Sequence, residues 1–125
     1  EPVGLDFGPD GLLYVADTWN QRVQVFSNDG LSVREWLVEA WFGQSNERPY
    51  LAVDAQGTVY VTDPDASRVI VFNGMGEYLY SFGDYITIGL AGGILVDDEG
   101  HLYLSDTERG AILRYDIPAA DQTTP

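Results

Sequence analysis

The chain has no cysteine and no lysine, and one histidine and one methionine in 125 residues. Without cysteine there is no disulfide and no thiolate metal site, and the redox compartment is left open. Without lysine, six arginines carry all the side-chain positive charge against 20 aspartates and glutamates, for a net charge of −14. A field of that sign repels polyanions, and phosphate contacts need a basic surface, which argues against nucleic acid as a partner. The acidity serves solubility, or more sharply the attraction of cations and basic partners. No apolar run approaches the roughly 20 residues of a membrane-spanning helix, so no direct membrane insertion is expected of this segment. No signal-peptide pattern opens the sequence, and a start at Glu1 without methionine reads as a processed or excised fragment.

The same scarcity removes most catalytic arrangements. His101 is the sole imidazole, so the serines have no base to activate them. The glycines are not spaced as a phosphate-cradling loop. The run Asp97–Gly100, "DDEG", resembles a piece of a calcium loop but lacks its ligand spacing and distal glutamate. Asp84, Glu47 and Glu108 meet a cation only weakly by this reading. The expectation is therefore no catalytic residue, no cofactor and no tightly bound metal.

What the chain does have is a repeat. "GLLYVADTWNQRVQVF" starts at Gly11, "GTVYVTDPDASRVIVF" at Gly57 and "GHLYLSDTERGAILRY" at Gly100. Tyr14, Tyr60 and Tyr103 align, as do Asp17, Asp63 and Asp106, and then Phe26, Phe72 and Tyr115. Each unit reads as four short strands separated by alternating glycine turns and polar turns, since glycine supplies the positive φ of a tight antiparallel turn. A four-stranded unit of about 40–45 residues is the signature of a propeller blade. The fold class is all-β, a partial β-propeller over residues 1–117 with blades at about 2–48, 49–88 and 89–117. The third blade lacks its outer strand, and 118–125 form a flexible tail. Strands are expected near Leu12–Ala16, Val23–Phe26, Val59–Thr62, Val69–Phe72, Leu102–Ser105 and Ile112–Tyr115. In "VREWLVEAWF" helical and alternating spacing both fit. The repeat position decides for an outer strand from Val33 to Phe42, with Trp36, Val38, Ala40 and Phe42 on one face.

These motifs, with "RPYLAVD" ahead of the second, resemble NHL repeats, the blades of NHL β-propellers. The insert "VREWLVEAWFGQSNERPYLAVD" is also similar to NHL segments of bacterial extracytoplasmic or membrane-attached proteins. The resemblance implies a rigid module that binds a protein, peptide or glycan through its loop face. It also implies an alternative, because lyases and lactonases of related fold hold a metal in the channel. The channel strands here offer only Asp6, Asp54 and Asp97, of which the last two are repeat equivalents with a structural reading. Propellers of about 4–8 blades close into rings. An arc of three leaves apolar faces open, so it is expected to be the C-terminal part of a longer propeller and to self-associate when isolated, two arcs making a six-bladed ring.

The polar turns share one rim with the connections between blades, including "GQSNERP" and "GDYITIGLAG". There Asp17, Asp63 and Asp106 are structural turn residues, paired with Arg22 and Arg68 in the first two blades, while Ala111 replaces the arginine in the third. Asn20 suits a left-handed position. Trp19 has no such role in the turn. Either it packs on the neighbouring blade's rim or it anchors a partner. Asn20, Tyr85 and Arg109 are the other candidate binding residues of that rim.

Overall fold

The computed structural model describes residues 4–42 and 49–117. These residues form eleven strands in three antiparallel meanders, with no α-helix among them. The first sheet holds β1 (Gly4–Phe7), β2 (Leu13–Asp17), β3 (Arg22–Phe26) and β4 (Ser32–Leu37). The second holds β5 (Leu51–Val53), β6 (Val59–Asp63), β7 (Arg68–Phe72) and β8 (Tyr78–Phe82). The third holds β9 (Ala91–Val96), β10 (His101–Asp106) and β11 (Ala111–Asp116), with no strand beyond β11 among the described residues. All six strands expected from the repeat are present. Gly11, Gly57 and Gly100, which head the three copies, take φ of +80°, +87° and +85°, so each inner hairpin turns on a residue without a side chain.

Alternation along the strands builds two cores. Tyr14, Ala16, Val23 and Val25 of the first sheet meet Leu51, Val53, Val59, Val61, Ile70 and Phe72 of the second. The opposite face of the second sheet presents Tyr60, Val69 and Val71 to Leu102, Leu104 and Ala91 of the third, with Ile88 between them. The inner strands lie close together. A side chain at Gly4 would come within 2.9 Å of the Leu51 amide nitrogen. One residue pair on, the Asp6 carboxylate accepts the Val53 N–H at 2.9 Å, tying the first two blades at the channel. The outer face of the first blade leaves Leu5, Phe7 and Leu37 exposed, and that of the third leaves Leu95 and Ile112 exposed.

One expectation is corrected. β4 ends at Leu37, and Glu39–Trp41 form a single 3₁₀ turn instead of continuing the strand to Phe42. The reason is tertiary. Trp41 turns inward, 1% exposed, and its indole N–H donates to the Thr62 carbonyl of the next blade at 3.0 Å. Phe42, expected on the same strand face as Trp36, stands exposed. The segment 43–48, with Glu47, and the tail 118–125 lie outside the described residues.

Candidate functional site

The rim that carries the β2–β3, β6–β7 and β10–β11 turns is built on the three repeated aspartates. Asp17 accepts the Arg22 Nε–H at 2.9 Å and the Asn20 amide at 3.0 Å, and Arg22 reaches on to Glu35 at 2.5 Å. Burial opposes ionisation of Asp17, but the hydrogen bonds from Asn20 and Arg22 outweigh it and hold the carboxyl below its usual range. Asp63, 2% exposed, accepts the Arg68 Nε–H at 2.8 Å. In the third blade Ala111 stands opposite Asp106 where the arginines stand opposite Asp17 and Asp63. Asp106 instead holds the connection between blades two and three, accepting the N–H groups of Gly89 at 2.8 Å, Leu90 at 3.1 Å and Arg109 at 3.1 Å. The Gly89 N–H leads in keeping its carboxyl below the ordinary value.

Each of the first two rim turns is one 3₁₀ turn, Thr18–Asn20 and Pro64–Ala66, followed by a left-handed residue. The left-handed residue of the first turn is Gln21, at φ +57°, and not Asn20; Ser67, at φ +54°, is its equivalent. Asn20 completes the 3₁₀ turn and spends its amide on Asp17. Trp19 sits between these fixed points, 75% exposed.

Tyr85 and Arg109 come together on the connection between blades two and three. Asp84 caps that loop, accepting the N–H groups of Ile86 at 3.0 Å and Thr87 at 2.9 Å. Arg109 braces the loop from the third blade by donating to the carbonyls of Tyr85 at 2.9 Å and Ile86 at 2.8 Å. The Tyr85 hydroxyl donates to Glu108 at 2.8 Å, and that bond raises the phenol's pKa. Ile86, at the middle of this braced loop, is 83% exposed. Ile86 was missed in the sequence, although "DYIT" carries the signature of a side-chain-capped turn whose middle residues face outward. Among the described residues no hydrogen bond or ring contact joins this cluster to Trp19 and Asn20, which belong to the first blade.

The opposite rim has a clasp of its own. Asp54 accepts the N–H groups of Gln56 and Thr58, both at 2.9 Å, and the Tyr60 hydroxyl at 2.8 Å. Burial and that carboxylate hold the Tyr60 phenol protonated well above its usual range. Asp97 repeats the pattern with Glu99 and His101 N–H groups at 2.9 Å and the Tyr103 hydroxyl at 3.1 Å, and adds the His101 ring at 3.0 Å. In the first blade Gly8 takes the aspartate's place, and Asp10 accepts from Tyr14 at 3.1 Å. The three acids of the inner strands are thus engaged with backbone donors, Asp6 through Val53.

This geometry gives a pH expectation. The His101 N–H is the largest cause that brings the Asp97 carboxyl down to about 2. A carboxyl depressed on folding adds stability above its unfolded pKa near 3.9 and loses it as pH falls through the folded value. Urea titrations of the wild type should therefore show stability dropping between about pH 4 and pH 2. Asp97→Asn should flatten that part of the profile, and an unchanged profile would refute the assignment.

Three antiparallel meanders stacked face to face around neighbouring inner strands define this as a segment of a β-propeller. Residues 1–26 match the family model described as NHL repeat. Among solved structures, the chain is similar to virginiamycin B lyase from Staphylococcus aureus, with TM-score 0.67 and 17% identity over 96% of this chain and 42% of the lyase. It is similar to a gluconolactonase from Xanthomonas campestris, with TM-score 0.64 and 23% identity over 94% of this chain and 38% of the other. A Bacteroides caccae protein of unknown function matches with TM-score 0.63 and 13% identity, over 90% of this chain and 44% of that one. The chain spans about two fifths of the length of these structures. No curated protein sequence matches it.

Proposed function

We propose that the chain is part of a non-catalytic recognition module that binds a protein, peptide or glycan through the loop face of the propeller, with Trp19 as its anchor. The observation that carries this reading is an indole 75% exposed on a turn whose backbone is fixed on both sides. An aromatic held so supplies large contact area at small entropy cost. Tyr85, Ile86 and Phe42 add exposed apolar surface to the same rim. The test is binding to an arrayed panel of defined glycans and synthetic peptides. Hits of the wild type should weaken at least roughly thirtyfold in Trp19→Ala, the scale of a hot-spot truncation, while stability stays within about 1 kcal/mol. Hits that survive the substitution would overturn the assignment of Trp19, and an unfolded variant would make it a packing residue.

A second reading is a part of a propeller enzyme whose catalytic residues lie mainly in further blades. The likeness to a lyase and a gluconolactonase favours it. Turnover of gluconolactone that is indifferent to Trp19→Ala would support this reading over the first.

The isolated arc is also proposed to self-associate head to tail. The outer face of blade three, with Leu95 and Ile112, is the repeat equivalent of the face that blade two turns towards blade three. It therefore matches the outer face of blade one, with Leu5 and Phe7, in a second copy. Heterologous contacts of this kind close into rings when the rotation permits. Light scattering at micromolar concentration should show a species above 13.8 kDa, and a monomer alone would refute it.

A further inference from the structure

The connection between blades two and three has an inward part and an outward part. Ile88 is fully buried in one cluster with Val69 and Val71 of blade two and Leu102 and Leu104 of blade three. At the first junction the inward residue is Trp41. The packing of the second junction is thus supplied without Ile86, which stands outward with Tyr85 beside it. Ring completion adds blades at the outer faces of blades one and three, and a further strand of blade three would run beside β11. This junction lies inside the arc, between two blades that are both described.

The outward part is fixed from both blades. The Asp84 carboxylate accepts the N–H groups of Ile86 and Thr87 and also the Thr87 hydroxyl, the last at 3.1 Å. Arg109 donates to the carbonyls of Tyr85 and Ile86, and Glu108 accepts the Tyr85 hydroxyl. These polar groups are used within the fold, and what the tip turns outward is hydrocarbon. Isoleucine is stiff at χ1, so a tip held this way loses little freedom when a partner covers it. Charge surrounds it. Arg109 is met by Asp106 at 3.7 Å, whereas Asp84 and Glu108, both exposed at the foot of the tip, have no ion pair with any described residue. The Thr87 N–H leads in holding the Asp84 carboxyl below its ordinary range, so it is ionised at neutral pH.

We propose that the 84–87 loop is a preformed knob for a protein partner, which receives Ile86 and Tyr85 in an apolar pocket edged with lysine or arginine. The proposal rests on the recognition reading above and narrows its partner from three classes to one. A sugar brings hydroxyls that must keep hydrogen bonds when they lose water, and this tip has already spent its donors and acceptors on itself. A protein pocket asks only for apolar surface there. The basic edge follows from charge complementarity, which sets partner choice and orientation. Asp84 and Glu108 flank the knob in a chain of net charge −14, so an acidic edge is repelled and a basic one attracted. A second copy of the chain, with the same acidic surround, does not meet that condition.

The probe is a phage-displayed library of short disulfide-looped peptides, panned against the whole chain. Enriched sequences should combine apolar residues with arginine or lysine. As fluorescein-labelled synthetic peptides read by anisotropy, they should lose at least about tenfold in affinity for Ile86→Ala, the scale of a lost anchor. Glu108→Gln keeps an acceptor for the Tyr85 hydroxyl and drops the charge, and should cost about two- to fivefold. Both side chains are exposed, so thermal melting of either variant by circular dichroism should match the wild type. No enrichment, peptides without basic residues, or affinities indifferent to Ile86→Ala would overturn the proposal. Peptides that lose affinity for Trp19→Ala but not for Ile86→Ala would overturn it and leave the recognition reading standing, while peptides indifferent to both would count against both. A glycan whose binding depends on Ile86 would overturn the choice of a protein.

Discussion

Trp41→Ala should lower the unfolding free energy by about 3–5 kcal/mol, the range for deleting a large buried aromatic. The residue is 1% exposed and packs into the core shared by blades one and two. Truncation also leaves the Thr62 carbonyl without the indole donor that reaches it at 3.0 Å, and an orphaned buried acceptor adds to the loss. Small domains have about 5–15 kcal/mol in total, so this one change removes a large share. Trp41→Phe separates the two contributions, since it keeps most of the ring and loses the donor; it should cost nearer 1–3 kcal/mol. Urea unfolding followed by circular dichroism measures both. An alanine variant within about 1 kcal/mol of the wild type would mean that the indole does not hold the two blades together.

The second large effect is expected at Gly83, where the chain leaves β8 for the next blade. Its φ is +96°, which L-residues rarely adopt, and a Cβ there would lie 2.4 Å from the Ile88 side chain and 3.1 Å from the Ser67 carbonyl. Ile88 is fully buried between blades two and three, so its side chain must shift to admit the Cβ. Backbone strain of about 1–2 kcal/mol and overpacking of about 1–3 kcal/mol put Gly83→Ala at roughly 2–5 kcal/mol. Gly110→Ala is the matched control. Gly110 also has positive φ, +65°, but a Cβ meets nothing within 4 Å, so only the strain applies. Equal melting temperatures for the two variants would show that Ile88 yields and that the contact carries no weight.

The blades were legible because their anchors are covalently local. A glycine turn, a tyrosine three residues on and an aspartate at the strand end recur in register, and the pairing of Asp17 with Arg22 follows from the hairpin they close. The faces were legible for the same reason: Val59 and Val61 enter one core and Tyr60 the other, as alternation requires. The turn at Glu39–Trp41 was not. Periods of 2 and 3.6 both fit that segment, and what settles it is an acceptor 21 residues away on another blade. At the first rim turn the sequence pointed to Asn20 for the left-handed position. The 3₁₀ turn needs Asn20 as its third residue, which moves the left-handed conformation to Gln21. Trp19 stood out as a residue the turn does not need, but Ile86 did not, although the Asp84 cap that turns the middle of its loop outward is local in sequence.

The two cores have one sheet in common: the second blade gives one face to each, while the first and third contribute a single face apiece. Opening either terminal blade therefore forfeits one apolar interface, but opening the middle one forfeits both. Unfolding in such a stack follows nearest-neighbour couplings, so the ends fray first and the centre last. The amides of β6 and β7 should be the slowest to exchange with solvent, and those of β1 and β11 the fastest. The same asymmetry ranks sequence changes: those in blade two weaken the whole stack, while those on the outer faces stay local.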